Sequence, residues 1–207
     1  VIEIGPGKGA LTKHLIHIKN MLTLIEVDKE SVDFIDSEFQ KEKLNIIEAD
    51  FLKFDIRSNY PLEKDILIIG NFPYNISSQI LIKSIENYES VSGLVGMFQK
   101  EVAERIISKN NCKQYGILSV KTQLFYNVKI LFDVSPNVFF PKPKVNSTVI
   151  SLTRKENLNI DCDLQLLDRI IKLGFQQRRK KLKNSLKKLD IEENILEDSI
   201  FESRPEQ

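Results

Sequence analysis

The chain reads as an α/β protein built on a doubly wound, mostly parallel sheet, and three observations lead there. Short apolar runs alternate with longer amphipathic stretches, the first four runs end in glycine, acid or asparagine, and the segments between them are long enough to hold helices. Strands are expected near 1–4, 21–27, 44–48, 65–70 and 92–98, with helices near 10–19, 29–41, 77–87 and 100–110 between them. Lys129–Val134 and Val145–Thr153 complete a seven-stranded sheet. In such a sheet the ligand crevice opens at the carboxyl ends of the strands.

The first strand runs straight into Gly5-Pro6-Gly7-Lys8-Gly9 and then an amphipathic stretch. Glycines at Gly5 and Gly7 let backbone approach a ligand closely, and a helix starting near Gly9 offers free N–H groups to a carboxylate or phosphate. The second strand ends at Glu26-Val27-Asp28, about twenty residues after the first glycine, from where a carboxylate reaches ribose hydroxyls. The third ends at Asp50-Phe51: Asp50 is placed to accept an adenine amino group, with Phe51 or its apolar neighbours walling the ring. Each acid alone is a helix cap or a solvated loop residue by default; their succession at strand ends favours the ligand.

The fourth strand, Ile66–Gly70, ends in Asn71-Phe72-Pro73-Tyr74. Tyr74 offers a π-face, Asn71 a side-chain carbonyl, and Pro73 a fixed φ that helps to aim a backbone carbonyl expected to have no strand partner. Two acceptors beside an aromatic plate suit the exocyclic amine of a nucleobase. An ordinary Asn-Pro turn is the competing reading. Nicotinamide chemistry is disfavoured, because the third glycine comes one residue early for the dinucleotide pattern. S-adenosylmethionine fits better, with its carboxylate at the glycine loop, its ribose on Glu26 and its adenine near Asp50; Asn71 also borders that ligand.

Together Glu3–Gly9, Ile25–Asp28, Ala49-Asp50, Asn71–Ser77, Gln99–Val102, Tyr115–Ser119 and Phe139–Val145 resemble the ribosomal RNA adenine dimethyltransferase family over nearly the whole chain. The small-subunit branch is the nearest likeness; its members dimethylate two adjacent adenines near the 3′ end of that rRNA. The resemblance implies a class I methyltransferase sheet whose Val145–Thr153 strand is antiparallel, and a helical domain flanking an RNA-binding cleft. It implies a target adenine faced by Tyr74 on one side and Phe139 on the other, although Phe139 serves equally well as a core plug. Phe72 departs from the aliphatic residue usual in the family. The resemblance further implies a segment before the first strand and a helical stretch beyond Gln207.

The 207 residues are 42% hydrophobic and 29% charged, enough for one larger domain, expected over 1–155, and a smaller helical one over 156–207. Glu156–Asp163 is polar and reads as the linker. No apolar run reaches the roughly 18 residues of a membrane span. Cys112 and Cys162 share no metal or redox spacing, and His14 and His17 lack a third ligand, so no metal is expected. A cytoplasmic monomer is the expectation.

Net charge is only +1, but Arg169–Lys188 holds nine Lys or Arg and no acid. Apolar residues from Ile170 to Leu189 thread this stretch at helical intervals, so its charges decorate packed helices. A solvated face is the plain alternative. Beside a base-binding site, Arg178, Arg179, Lys180 and Lys181 are expected to meet phosphates, as is Lys144 near the proline-rich loop. The expected partner is small-subunit rRNA in a pre-ribosomal particle. Two alternatives remain open: a large-subunit adenine methyltransferase conferring antibiotic resistance, and a mainly non-catalytic ribosome-assembly factor.

Overall fold

A computed structural model describes residues 1–61, 65–156, 158, 160–189 and 191–207. The expected linker over 156–163 includes residues 157 and 159, which lie outside the described residues. By backbone proximity the chain divides into two units, Val1–Ala103 with Phe125–Lys155, and Glu104–Leu124 with Glu156–Gln207. The second unit therefore takes in 104–124, which the sequence placed with the sheet.

In the first unit seven strands, β1 (Ile2–Ile4), β2 (Thr23–Glu26), β3 (Asn45–Glu48), β4 (Ile66–Gly70), β5 (Val91–Gln99), β6 (Tyr126–Val134) and β7 (Ser147–Arg154), form one sheet in the order β3-β2-β1-β4-β5-β7-β6. The first five are parallel, and β7 is antiparallel to both β5 and β6. Strand order reverses between β1 and β4, so the crevice outside their carboxyl ends is the switch point where ligands of such sheets bind. Central strands are covered on both faces, which is why β1 and β2 read as unbroken runs; Leu24, Ile25, Ile68, Leu94 and Phe98 are fully buried. The edge strand β6 instead exposes Ile130, Leu131 and Phe132.

Helices of this unit are α1 (Thr12–Leu15), α2 (Lys29–Glu38), α3 (Ile56–Asn59), α4 (Ser77–Glu86) and the start of α5 (Lys100–Ile107). Asp28 caps α2, its carboxylate accepting from the Ser31 amide and hydroxyl. The helix expected over 10–19 is a single α-turn followed by a 3-10 stretch, Ile16–Met21, with Ile18 out of helical geometry. Ile16, His17, Ile18 and Asn20 all have modest helix propensity, so nothing local extends the turn.

The second unit holds the rest of α5, most of α6 (Ile117–Phe125), α7 (Leu164–Gln176), α8 (Leu182–Ser185) and α9 (Glu193–Leu196). Asp163 caps α7 by accepting from the Gln165 amide. Gly174 of α7 is buried facing Leu182 and Pro205, and Lys121 and Lys172 both reach Asp168. Among the described residues no helix is long and apolar enough to cross a membrane.

Candidate functional site

The loop after β1 is built of left-handed glycines: Gly5, Gly7 and Gly9 have φ of 63°, 56° and 73°. A Cβ added at Gly5 or Gly7 would meet nothing within 4 Å, so these two leave open space, whereas at Gly9 it would strike the Phe39 ring at 2.5 Å. Gly9 is therefore a packing requirement. Glu26, at the end of β2, is buried and holds the loop: Oε2 accepts from the Gly7 amide (3.1 Å), and Oε1 accepts from the amides of Val27 (2.8 Å) and Asp28 (3.0 Å). Three of its roughly four lone-pair positions are taken, leaving one for a ligand hydroxyl.

Glu3 was not singled out by the sequence as a site residue. It is 1% exposed in the middle of β1, two residues before Gly5, and burial pushes its carboxyl up to about 7. Thr12 faces it and biases it the other way, yet among the described residues Glu3 Oε2 and Thr12 Oγ1 each lack a hydrogen-bond partner. At Asp50, Oδ1 accepts from the Leu52 amide (2.9 Å), the turn role that was the default, and Oδ2 lies 4.0 Å from Lys53 Nζ. Phe51 is a core residue, buried, with the Lys83 ammonium 5.4 Å from its ring centre. Burial lowers the Lys83 pKa, and Lys83 donates to the Leu52 carbonyl.

After β4, Asn71 is exposed and Phe72 is buried beneath it. The Phe72 ring fills the space where Gly70 and Gly96 have no side chains; a Cβ on Gly96 would lie 2.1 Å from it. Phe98 meets the same ring edge to face at 5.7 Å. The departure at Phe72 is thus accommodated by two glycines on adjacent strands. The expectation for Pro73 is corrected: its carbonyl accepts from the amides of both Ile76 (3.1 Å) and Ser77 (3.0 Å), which start α4, so both lone pairs are used. Among the described residues no donor reaches the Phe72 carbonyl, which is the free acceptor beside Asn71. Tyr74 is half-buried, and its hydroxyl shares a 2.6 Å hydrogen bond with that of Ser147, a fully buried residue at the start of β7.

Asn71, Phe72, Pro73, Tyr74, Met97, Phe139 and Phe140 line one cavity of about 270 Å³. Phe139 is half-buried there, so it is a wall of the cavity rather than a core plug. Lys144 is exposed close by in sequence but is not part of the lining. Next to Ser147, Thr148 donates to Asp133 (2.6 Å) and Lys100 donates to the same carboxylate (2.7 Å), mooring β6 and holding the Asp133 pKa down.

In the helical unit the basic stretch divides. Arg178 donates to the carbonyls of Lys113 (2.6 Å) and Cys112 (2.9 Å) and lies 3.6 Å from Glu206, so it ties structure together, and its expected place among free phosphate contacts is corrected. Lys181 and Lys183 both grip Glu202. Arg179 and Lys180 are exposed, and with Lys187 and Lys188 they line a groove of about 800 Å³. Among the described residues no three His, Cys, Asp or Glu side chains gather as a metal site.

A family model described as ribosomal RNA adenine dimethylase matches residues 1–201. The chain belongs to that family. A relative of this dimethylase from Flavobacterium johnsoniae, named ribosomal RNA small subunit methyltransferase A, is 50% identical over 207 residues, covering all of this chain and 79% of the relative. The protein of the same name from Cytophaga hutchinsonii is 44% identical over 208 residues, covering all of this chain and 80% of its own. A dimethyladenosine transferase from Plasmodium falciparum superposes with a TM-score of 0.78 at 29% identity, over 95% of this chain and 70% of that one. The 23S rRNA methyltransferase ErmE shares the fold, with a TM-score of 0.70 at 23% identity over 99% and 86% of the two chains. The fold class and the family resemblance read from the dimethylase sequence are borne out. Its Phe72 carbonyl, Gly96, Ser147 and Glu3 were not legible as site groups; only Glu3, an acid inside an apolar strand, carried a signal.

Proposed function

We propose that this dimethylase transfers methyl groups from S-adenosylmethionine to the exocyclic N6 amines of two adjacent unpaired adenines near the 3′ end of small-subunit rRNA, in a maturing particle. The observation that carries the reading is the cavity in which Asn71, the free Phe72 carbonyl, Tyr74 and Phe139 converge at the end of β4. Relatives named for the small subunit, at 44–50% identity, support that substrate over the large-subunit alternative. The residues around the glycine loop fit the cofactor. Gly5 and Gly7 leave room for close approach, Glu26 keeps a position for a ribose hydroxyl, and Asp50 keeps Oδ2 for the adenine amine. The orphaned carboxyl of Glu3 suits a cationic amine. When bound, S-adenosylmethionine supplies an electrophilic methyl on a sulfonium.

An aromatic amine is a poor nucleophile because its lone pair is delocalised into the ring. Asn71 Oδ1 and the Phe72 carbonyl accept its two N–H groups, which favours a pyramidal nitrogen with the lone pair directed out of the base plane. Tyr74 and Phe139 hold the base between them, each stacking face contributing about 1–3 kcal/mol, and Ser147 fixes the Tyr74 ring through its hydroxyl. The amine becomes acidic as it is alkylated, so Asn71 needs only to hold its proton until water takes it. Such an adenine has to leave its stack to enter the cavity. Arg179, Lys180 and Lys144 give the salt-dependent grip on the backbone, with Lys181 joining where phosphate displaces Glu202.

The test is Asn71→Ala with labelled cofactor and unmethylated small subunits. Methyl transfer is expected to fall by about 100- to 1,000-fold while particle binding stays within twofold; unchanged transfer removes Asn71 from the mechanism, and label appearing only on large subunits replaces the substrate.

A further inference from the structure

Beyond Tyr74 and Phe139, and Phe72 buried beneath Asn71, the cavity has a fourth aromatic. Phe140 also lines it, yet its side chain stands fully in solvent, at 103% relative exposure. A lone exposed apolar residue ordinarily asks for no explanation, but three observations single this one out. Backbone at Phe139 is extended (φ −107°, ψ 147°), and an extended chain sends successive side chains to opposite sides. The two rings therefore diverge at the cavity rim instead of stacking on each other, and among the described residues neither has an aromatic partner. Next, Pro136, Pro141 and Pro143 stiffen the segment, so the ring is presented with little conformational freedom left to lose on binding. Finally, exposed Lys142 and Lys144 alternate with the aromatics and prolines, the combination of π-faces and cations that follows a single-stranded backbone.

At about 270 Å³ the cavity is near the lower limit for small-ligand sites. We infer that Phe140 is a second base platform, on which the nucleotide next to the target adenine stacks while the target lies between Tyr74 and Phe139. The inference rests on the reading that an unpaired adenine occupies the cavity. It gives the pair of adenines a register: one base inside, its neighbour on Phe140, with the strand advancing by one nucleotide between modifications. Recognition is by π-surface alone, so any base is accepted and purines are held more firmly than pyrimidines.

The test is a thermodynamic cycle on a single-stranded RNA oligonucleotide containing two adjacent adenines, compared with the same RNA abasic at the neighbour position. Binding of each to the wild-type protein, Phe140→Ala and Phe140→Trp is measured by fluorescence anisotropy. Removing the neighbouring base should weaken wild-type binding about tenfold, and Phe140→Ala should weaken binding of the intact RNA by the same factor. The abasic RNA should lose nothing further with Phe140→Ala, and Phe140→Trp should restore the wild-type value. Additive losses, a neutral Phe140→Ala, or an intact RNA that the wild-type protein does not hold overturns the platform. Methyl transfer to small subunits is read in parallel. Transfer by the wild type but not by Asn71→Ala, together with an additive cycle, removes the platform and keeps the proposed function; no transfer by the wild type removes both.

Discussion

Two loops leave adjacent strands at the switch point, and they use glycine for opposite ends. After β1 two of the three glycines are empty: Gly5 and Gly7 face open space while Gly9 packs on Phe39, and the groups around the open pair, Glu26 and Glu3, are polar. Around the tip after β4 the glycines are full: Gly70 at the end of β4 and Gly96 on β5 seat Phe72, Gly70 also lying against the Ile4 carbonyl, and the exposed tip above that ring carries the acceptors. One loop is shaped to be completed by a ligand and the other is completed by its own side chain. A missing side chain is thus a binding feature only where nothing of the chain fills the gap.

The largest effect should come from undoing the seat. Gly96→Ala pushes a methyl into the Phe72 ring, and displacing the tip by about an ångström is expected to cost about 100-fold in kcat with little change in the KM for cofactor. Phe72→Leu together with Gly96→Ala should recover most of that loss; a double variant as poor as the single one would break the comparison.

The glycine loop offers the next effect, through Glu3. Burial pushes its folded carboxyl up to about 7 from the 4.5 of a free glutamate, so the folded state holds the proton more tightly. Stability from this group is complete below pH 4.5 and is lost as pH rises through 7. Relative to Glu3→Gln, the cofactor-free wild type should lose on the order of 3 kcal/mol across that window. Denaturation midpoints of both proteins from pH 4 to 8 check it, and parallel curves would mean that the carboxyl is not buried uncharged.

Gly5→Ala should be milder for stability, about 1–2 kcal/mol for a left-handed non-glycine residue, while cofactor affinity measured by calorimetry falls further because the methyl occupies the approach. If affinity and stability fall together, the gap serves the fold alone. The smallest effect belongs to Ser147→Ala, about 1 kcal/mol, read as a few-fold loss in kcat/KM for particles. Tyr74→Phe should cost the same, and the double variant no more than either.

The first four parallel strands were legible because each is a short apolar run closed by glycine, acid or asparagine, and that same punctuation marked the crevice. Ile117–Phe125 was not assigned as a helix. Its Val120 and Thr122 suit a strand equally, and it passes into Tyr126–Val134 without a turn residue to divide them. That the Pro73 carbonyl is already occupied was not legible in the sequence. Asn75-Ile76-Ser77 already begins the next helix, so the carbonyl three and four residues earlier is claimed by its first amides. Phe72 looked anomalous because its seat lies on a strand more than twenty residues away.

The grip of Arg178 on two carbonyls of its own chain has a practical consequence for alanine scanning of the basic helices. A variant there loosens the Cys112–Lys113 turn, and its loss of RNA affinity will carry a melting-temperature shift and no change in salt slope. Its neighbours Arg179 and Lys180 should flatten that slope and melt as the parent does.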